Sequence, residues 1–333
     1  MLDRRQTLFA AITMPLAAAP VGAQTPPPSS KPVPAVAPGL PEPRETIDLW
    51  PEGAPGMPEG RLVETVLERS KDPEITDRAV YGITKPRLVV FRPKVPNGSA
   101  VLVTPGGGYR WVVIDKEGYE IGRWLAARGW TVFVLFYRLP GEGWAAGPDV
   151  ALSDAQRAIR LIRADADRFG IMPERVAAMG FSAGGHVCGD LATRFGRRVY
   201  EPVDAADRLS ARPDIAAPIY AVQSMTLPVA HPGSRTLLIG ENAAPERERA
   251  HSPQFNVTPA TPPCFLVHAE DDEVVPVENS LAFRAALKGV HVPVETHLFQ
   301  NGGHGFGLRR AMNKPAEMWP ELFVNWARTH GIG

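Results

Sequence analysis

The stretch Gly180-Phe181-Ser182-Ala183-Gly184 decides how this chain is expected to fold. It is a G-x-S-x-G sequence that follows a largely apolar run, 175–179, and precedes a helix-compatible segment, 185–195. This context is typical of a sharp strand-to-helix turn in which the serine hydroxyl is exposed. Glycines on both sides allow the close backbone approach that such a turn requires. The N-terminus of the following helix would offer N–H groups beside Ser182, where an oxyanion could be stabilised.

Strand-like and helix-like segments alternate on both sides of this stretch. Short, continuous apolar runs such as 100–103 and 131–136 are typical of strands buried on both faces of a sheet. The pattern predicts strands at 88–91, 100–103, 131–136, 175–179, 215–220, 264–268 and 294–298, and helices at 121–129, 151–169, 281–287 and 322–327. We therefore expect an α/β fold with a mostly parallel, doubly wound sheet and helices on both faces.

The overall composition is that of an ordinary globular protein and argues against one class of partner. The chain has 333 residues, of which 44% are hydrophobic and 22% charged, and its formal net charge is +0. Without a basic excess there is no electrostatic case for nucleic-acid binding. The two cysteines, Cys188 and Cys264, each lie in an apolar stretch, and we interpret them as buried free thiols rather than as a disulfide.

The N-terminus has the features of an export signal. Residues 3–9, which contain Arg4-Arg5, resemble a twin-arginine signal, although two positions depart from the usual motif. A mildly apolar run, 10–19, follows, and Val21-Gly22-Ala23 offers small residues at a cleavage site. The apolar run is too short to span a bilayer. We therefore interpret residues 1–23 as the signal peptide of an exported protein, periplasmic or secreted, without stable membrane insertion after cleavage.

A proline-rich tract separates this segment from the folded part of the chain. Residues 24–44 contain many of the 35 prolines and almost no large apolar side chain. Such a sequence cannot bury a core and favours an extended, semi-rigid linker. The folded domain is therefore predicted to span residues 45–333, with no internal repeat and no clear second domain. Within it, segments 196–213 and 222–256 are expected to form a small cap or long surface loops over the site.

A glycine-rich stretch, Pro105-Gly106-Gly107-Gly108-Tyr109, follows the predicted strand 100–103. Consecutive glycines let the backbone fold close to a ligand and aim N–H groups at it. The surrounding sequence lacks the patterns of nucleotide-binding loops. We expect the amides of Gly107 and Gly108, together with that of Ala183 after the serine, to bind an oxyanion.

Two further polar stretches follow predicted strands and supply an acid and a base. Residues 268–276 include Asp271 and Asp272, and a carboxylate at the carboxyl end of a strand can orient a histidine from the same sheet edge. His304 is flanked by glycines within 301–307, on a loop that can approach another segment. The other histidines lack such a setting, and we interpret them as structural or surface residues.

The order Ser182, Asp272, His304 along the chain matches that of nucleophile, acid and base in the α/β-hydrolases. His304 would remove the proton of Ser182, because an unaided serine hydroxyl is a weak nucleophile. Asp272 would hold the imidazole in the correct tautomer. The arrangement predicts hydrolysis through an acyl-enzyme. No stretch supplies a cluster of metal ligands, so that neither a metal nor a cofactor is expected.

Several stretches resemble the bacterial carbohydrate acetylesterases of the acetyl-xylan esterase type, within the α/β-hydrolases. They are Leu49-Trp50-Pro51-Glu52-Gly53-Ala54-Pro55-Gly56, 105–109, Tyr137-Arg138-Leu139-Pro140, 180–186, 272–280 and 302–307. The resemblance covers the chain from about residue 46 to the C-terminus and implies Ser182, Asp272 and His304 as the triad. Pro105 stands where the oxyanion motif more often has histidine, which leaves the oxyanion to the glycine amides.

The resemblance implies release of acetate from acetylated plant polysaccharide or its oligosaccharides, without a metal. Directly after the glycines, Tyr109 and Arg110 are an aromatic and a polar group that suit a sugar face near the oxyanion hole. Three alternatives stay open. They are a feruloyl-type or general carboxylesterase, a serine peptidase of the prolyl-oligopeptidase type whose gating domain is absent here, and a non-catalytic hydrolase-fold binding protein, which usually lacks the serine or the histidine.

Overall fold

The structure, a computed structural model, describes residues 42–60 and 62–333. The predicted signal peptide, 1–23, and most of the predicted linker, 24–44, lie outside the described residues. The first strand begins at Thr46, close to the start predicted for the folded domain. The division of the chain into signal, linker and catalytic domain stays a prediction.

A mostly parallel sheet forms the centre of the fold. The strands are β1 Thr46–Asp48, β2 Thr65–Glu68, β3 Arg78–Tyr81, β4 Arg87–Phe91, β5 Gly98–Thr104, β6 Val112–Val113, β7 Thr131–Phe136, β8 Ile171–Phe181, β9 Ile215–Ile219, β10 Cys264–Ala269 and β11 Val294–Phe299. An 8-stranded sheet has the order β1-β4-β7-β5-β8-β9-β10-β11. The pairs β1–β4 and β4–β7 are antiparallel, and the remaining pairs are parallel.

The inner strands are buried because their sequences are apolar on both faces. Every residue of β7 is buried, and β5 lies between β7 and β8 with only its first residue partly exposed. Continuous apolar runs are what a parallel strand covered on both faces requires. The predicted strand 131–136 coincides with β7, and the other predicted strands lie within or overlap the observed ones.

Helices cover both faces of the sheet. They are α1 Glu120–Ala126, α2 Val150–Ala164, α3 Ala166–Phe169, α4 Ser182–Arg194, α5 Pro232–Ile239, α6 Pro245–Ala250, α7 Glu278–Gly289 and α8 Trp319–Thr329. Helices α2 and α4 pack against each other and against β8. Arg128, which follows α1, forms an ion pair of 2.6 Å with Glu321 of α8. The predicted helix 151–169 is divided into α2 and α3 because Asp165 departs from helical geometry, at φ −99° and ψ 19°.

Two parts of the fold were not predicted as such. Strands β2, β3 and β6 form a small antiparallel sheet. The residues of β2 are mostly exposed, so its sequence lacks the apolar run that marks a buried strand. The segment 222–256, expected as a cap or loops, contains α5 and α6.

Two of the stretches quoted above meet in a buried polar cluster. Asp154 accepts hydrogen bonds from Trp50 Nε1 at 2.8 Å, from the Arg138 guanidinium at 2.7 Å and from the Arg138 amide at 2.9 Å. The side chains of Arg138 and Asp154 are almost completely buried. Their charges are paired and hydrogen-bonded, as burial of an ion pair requires. The cluster attaches the segment around Trp50 to α2 and to the loop after β7.

The carboxyl ends of the parallel strands bring the predicted site residues to one edge of the sheet. Strand β5 ends at Thr104, just before the glycines, and β8 ends immediately before Ser182. Strands β10 and β11 end shortly before Asp272 and His304. This edge is where α/β sheets generally bind ligands, so the fold itself assembles the site.

Two further properties do not concern the site. Cys188 and Cys264 are free and buried, as predicted. In residues 42–60 and 62–333, no helix combines the length and the apolar character that crossing a membrane would require.

Candidate active site

Ser182 lies at the turn from β8 into α4 with an unusual backbone. Its φ is 53°, in the left-handed region that residues with a side chain rarely adopt. Such strain persists only where the surroundings hold it, and it is common at functional sites. A Cβ on Gly180 would lie 2.2 Å from the carbonyl oxygen of Gly184, and one on Gly184 would lie 2.1 Å from that of Thr104. The turn therefore has the tight geometry of a nucleophile elbow.

His304 belongs to the loop 301–307 after β11, which we call the base loop. Its Nε2 lies 2.8 Å from Ser182 Oγ, and its Nδ1 lies 2.7 Å from Asp272 Oδ2. Because an ionised carboxylate only accepts hydrogen bonds, Nδ1 carries the proton and donates it. This tautomer leaves the Nε2 lone pair able to accept the proton of Ser182. The Tyr220 ring packs edge-on against the imidazole, with the ring centroids 5.4 Å apart.

Asp272 is buried, and its carboxylate accepts several hydrogen bonds. Oδ1 accepts from the amides of Val274 and Val275, both at 2.9 Å. Oδ2 lies 3.3 Å from Nε2 of His268, in addition to its hydrogen bond with His304. Burial alone would raise the pKa of Asp272, but the hydrogen bonds from the two histidines outweigh it and hold that pKa below its ordinary value. Asp272 is therefore ionised at neutral pH and can stabilise an imidazolium.

The neighbouring Asp271 has a different set of contacts. It is exposed, and its Oδ1 accepts hydrogen bonds from the amides of Gly302 at 2.8 Å and Gly303 at 2.7 Å. These bonds hold the base loop and do not involve the imidazole. The structure thus brings Asp272, and not Asp271, to His304. The role of Asp272 as the catalytic acid stays a prediction.

The loop 105–111 after β5, which we call the oxyanion loop, presents free amides beside Ser182. Gly107 has a φ of 133°, and a Cβ there would lie 2.1 Å from the carbonyl oxygen of Trp111. Within the described part of the chain, the amides of Gly107 and Gly108 have no hydrogen-bond acceptor. Ala183 lies in the first turn of α4, where N–H groups lack intrahelical partners. The donors predicted for an oxyanion hole are thus available, and that function stays a prediction.

The structure contradicts the sugar contact expected of Tyr109. Its side chain is 2% exposed, and its hydroxyl donates to Nδ1 of His186 at 2.6 Å. Nε2 of His186 donates in turn to the carbonyl oxygen of His251 at 2.7 Å. The ring therefore anchors the oxyanion loop to the interior, where no substrate can reach it. Arg110 is exposed, and its contact with substrate stays a prediction.

Three residues that lie close to these loops could not be recognised from the sequence: Glu117, Tyr220 and His231. Glu117 is buried and accepts a hydrogen bond from the amide of Gly106 at 2.8 Å. His231, interpreted above as structural or surface, precedes α5, and a methyl group on Gly108 would lie 3.9 Å from its Cε1. No spacing in the sequence signals these residues, because their positions depend on how distant segments pack.

One group of side chains away from the base loop has the composition of a metal site. Ligand atoms of Asp149, Asp190 and His251 all lie within 4.8 Å of one another. The guanidinium of Arg194 already lies among them, 2.8 Å from an oxygen of Asp190 and 2.7 Å from an oxygen of Asp149. A metal ion would have to displace this buried cation. The cluster is therefore best explained as an ion-pair network.

The sequence is similar to known carbohydrate-active enzymes over most of the described domain. The BD-FAE family matches residues 90–287. An endo-1,4-beta-xylanase B of Butyrivibrio fibrisolvens is 37% identical over 260 residues, which cover 77% of this chain and 39% of that protein. An acetylxylan esterase of Xylanibacter ruminicola is 31% identical over 249 residues, covering 74% of this chain and 48% of that protein. The chain thus spans less than half the length of either curated relative.

Solved structures match most of this chain and nearly the whole of their own chains. An acetyl ester-xyloside bifunctional hydrolase from Caldicellulosiruptor lactoaceticus is 34% identical with a TM-score of 0.70, and the match covers 87% of this chain and 97% of that one. A carboxylesterase from Lactobacillus plantarum is 23% identical with a TM-score of 0.61, covering 82% and 98%. The second likeness, at that identity, concerns the fold alone, which is that of the α/β-hydrolases.

Proposed function

The chain belongs to the BD-FAE family, and we propose that it is a serine esterase that hydrolyses acetyl esters on plant polysaccharide or oligosaccharide of the xylan type. The observation that carries the proposal is the continuous hydrogen bonding from Ser182 Oγ through His304 to Asp272. The similarity to an acetylxylan esterase and to an acetyl ester-xyloside hydrolase supports an acetylated, xylan-type substrate.

Acylation follows from the tautomer of His304. As Ser182 Oγ attacks the acetyl carbonyl carbon, Nε2 takes the hydroxyl proton and the ring becomes an imidazolium stabilised by Asp272. The carbonyl oxygen acquires the negative charge, which the amides of Gly107, Gly108 and Ala183 would stabilise. The tetrahedral intermediate then collapses, the bond to the sugar oxygen breaks, and that oxygen takes the proton from Nε2.

Deacylation uses the same groups a second time. His304 removes a proton from a water molecule, which attacks the acetyl-enzyme and forms a second oxyanion at the same amides. Collapse of this intermediate returns the proton to Ser182 Oγ and releases acetate.

The proposal extends to the place where the enzyme acts. We interpret residues 1–23 as a signal that directs export to the periplasm or the medium, where fragments of plant polysaccharide are met. The full chain expressed in a Gram-negative host with an active twin-arginine pathway should be recovered outside the cytoplasm with Gln24 as its first residue. Replacing both Arg4 and Arg5 by lysine should retain the full-length chain in the cytoplasm, and equal export of both forms would contradict the signal.

The substrate test compares three esters with one purified protein. We expect acetate release from acetylated xylo-oligosaccharide with a higher kcat/KM than hydrolysis of p-nitrophenyl octanoate or of methyl ferulate. Ser182→Ala should remove all three activities, because a hydroxyl at this position is required for the acyl-enzyme.

The outcomes separate the alternatives. Faster hydrolysis of methyl ferulate, with no acetate released from the oligosaccharide, would favour a feruloyl-type esterase. Faster hydrolysis of the octanoate would favour a general carboxylesterase. Absence of turnover of any ester, p-nitrophenyl acetate included, would favour a non-catalytic binding protein.

A further inference from the structure

Glu117 lies buried between the two loops that meet at Ser182. Its side chain is 3% exposed, and each of its carboxylate oxygens accepts a hydrogen bond from a different part of the site. The ammonium group of Lys116 lies 3.8 Å from Oε1 and is also buried, so the carboxylate has a partner for its charge. Glu117 has no hydrogen bond to Ser182, His304 or Asp272. Its effect on the reaction must therefore pass through the groups it holds.

The first of these groups is the peptide that carries the Gly107 amide. Glu117 Oε2 accepts from the amide of Gly106 at 2.8 Å, and the carbonyl oxygen of Gly106 accepts from the amide of Val113 at 2.9 Å. The carbonyl of Gly106 and the N–H of Gly107 belong to one planar trans peptide and point in opposite directions. Fixing Gly106 at both ends therefore fixes the direction of the Gly107 N–H. A Cβ on Gly106 would lie 2.6 Å from Glu117 Oε2 and 2.9 Å from Ser182 Cβ, which shows how closely these groups are packed.

The second group is the Tyr220 hydroxyl, which connects Glu117 to the base loop. It donates to Glu117 Oε1 at 3.1 Å and accepts from the amide of Gly307 at 3.1 Å. The Tyr220 ring packs edge-on against His304 and against Phe306, with centroid distances of 5.4 and 4.6 Å. Tyr220 is completely buried, so these contacts leave its ring and hydroxyl little freedom. Through this tyrosine, the carboxylate of Glu117 also orients the base.

We propose that Glu117 is a positioning residue that sets the oxyanion amides through Gly106 and the imidazole of His304 through Tyr220, so that both respond to one buried carboxylate. This inference rests on the proposed esterase function and concerns the same site. Preorganised donors accelerate a reaction because they need no reorganisation when charge develops. Loss of the carboxylate should therefore lower the rate at each intact active site, and not only the amount of folded enzyme.

The test compares Glu117→Gln and Tyr220→Phe with a matched control, Glu120→Gln. Glu120 follows in α1 and is buried to a similar degree. Its carboxylate makes no hydrogen bond within the described residues, and its ion pair, at 3.3 Å, is with Arg309, which lies outside the base loop. Active sites are counted by stoichiometric reaction of Ser182 with diethyl p-nitrophenyl phosphate, and kcat/KM is expressed per titrated site. We expect Glu117→Gln to lose about 10- to 100-fold in kcat/KM for p-nitrophenyl acetate, whereas Glu120→Gln stays near wild type per site.

A second measurement distinguishes the effect of Glu117 on the oxyanion amides, through Gly106, from its effect on the base loop, through Tyr220. p-Nitrophenolate leaves without a proton, but a sugar alkoxide must take one from His304. Tyr220→Phe, which disconnects the base loop, should therefore lose more activity on acetylated xylo-oligosaccharide than on p-nitrophenyl acetate. Glu117→Gln should lose activity on both substrates. If Glu117→Gln fails to fold, the test rests on Tyr220→Phe, through the ratio of its activity losses on acetylated xylo-oligosaccharide and on p-nitrophenyl acetate.

Each result supports or overturns the inference. Equal kcat/KM per titrated site in wild type and Glu117→Gln, or an equal loss in Glu120→Gln, would overturn it and leave the esterase function standing. An equal loss on both substrates in Tyr220→Phe would overturn the branch through the base loop. A wild-type protein that neither reacts with the phosphate ester nor hydrolyses p-nitrophenyl acetate would overturn the proposed function itself.

Discussion

The two glycine-rich loops that meet at Ser182 are held by different kinds of neighbour. The oxyanion loop, 105–111, is anchored from within the protein by three buried side chains. Tyr137 donates to the carbonyl oxygen of Pro105 at 2.7 Å, Glu117 accepts from Gly106, and Tyr109 donates to His186. The base loop, 301–307, has its interior hydrogen bonds at one end, where Gly307 donates to Tyr220 at 3.1 Å and accepts from Nε1 of the buried Trp319 at 2.8 Å, and its other end is held by the exposed Asp271.

This difference has a consequence for how each loop tolerates change. A buried group that loses its partner costs about 1–3 kcal/mol, because no water replaces the lost hydrogen bond. Water can replace the hydrogen bonds of an exposed carboxylate such as Asp271, so their loss costs less. The oxyanion loop should therefore be rigid and sensitive to substitution, while the end of the base loop that Asp271 holds should tolerate changes that leave His304 and its partner Asp272 in place.

The largest effect should come from removing the side chain of Ser182 or of His304, which leaves the hydrogen bonds that hold the two loops in place. Ser182→Ala and His304→Ala should each reduce kcat by a factor on the order of 10⁶, and the double variant should lose no more, because the members of a triad act as one unit. Steady-state kinetics with p-nitrophenyl acetate measures all three. His297→Ala, a histidine of β11 outside the site, serves as the control and should keep the wild-type rate. Losses that multiply in the double variant would show that the two residues do not act together.

A smaller but still large contrast is expected between the adjacent aspartates. Asp272→Asn should reduce kcat by about 10⁴, because an amide at this position favours the wrong tautomer of His304. Asp271→Asn weakens only the exposed bonds to Gly302 and Gly303, and we expect it to lose less than about 10-fold. The two variants are compared in kcat at neutral pH. A severe loss in Asp271→Asn with a mild one in Asp272→Asn would show that Asp271 is the acid. It would also contradict the expectation that the exposed hydrogen bonds to the base loop matter little.

The oxyanion loop can be tested at two adjacent glycines. Gly107→Ala places a methyl group against the carbonyl oxygen of Trp111 and must shift the loop, so we expect kcat to fall by about 10²–10³, as for loss of one oxyanion donor. In Gly108→Ala the methyl group has room beside His231, and the loss should stay near 10-fold or below, from the strain of a left-handed alanine. Thermal unfolding of both variants shows whether the fold is intact. Equal losses would mean that the loop is less rigid than its anchors suggest.

The sequence was sufficient for the parts of the molecule that are specified locally. The apolar run of β7 predicts that strand to the residue, because burial on both faces leaves one pattern only. The glycines around Ser182 predict the elbow, because no other residue fits beside the carbonyl oxygens of Thr104 and Gly184. The strand ends then determine which loops can meet, so Asp272 and His304 could be placed without knowledge of the structure.

The residues that hold these loops could not be predicted, because they reach the site from distant segments. Tyr220 and Glu117 are separated by 103 positions in the sequence, and Tyr137, which follows β7, contacts Pro105 from 32 positions away. Tyr109 was misplaced for a related reason. Its neighbourhood in the sequence suggested a surface for sugar, but the partner that draws its hydroxyl inward is His186, whose position depends on the packing of α4.

The smallest expected effect concerns the stability of the protein. It arises behind the oxyanion loop, where hydrogen bonds connect Tyr109 to His186 and His186 to the backbone of His251. Burial, together with the charge of Arg194, outweighs the attraction of Asp190 and lowers the pKa of His251 to about 4. In the unfolded chain a histidine has a pKa of about 6.5. Between these values the unfolded state binds a proton that the folded state does not, so the free energy of unfolding should fall as the pH drops from 7 towards 4, by at most about 3 kcal/mol from this residue.

Urea unfolding at pH 7.5 and at pH 5 measures this effect in wild type and in His251→Gln. The substitution removes the titrating ring and should make stability less dependent on pH over this interval, while the buried His186, whose pKa burial also lowers, still contributes in both proteins. His297→Gln, at a partly exposed histidine of the outer strand β11, is measured alongside as the control for replacing a histidine by glutamine away from Asp190 and Arg194. If His251→Gln and wild type lose the same stability between the two pH values, His251 is protonated in the folded protein. The interior behind the oxyanion loop would then be more accessible to solvent than its anchors indicate.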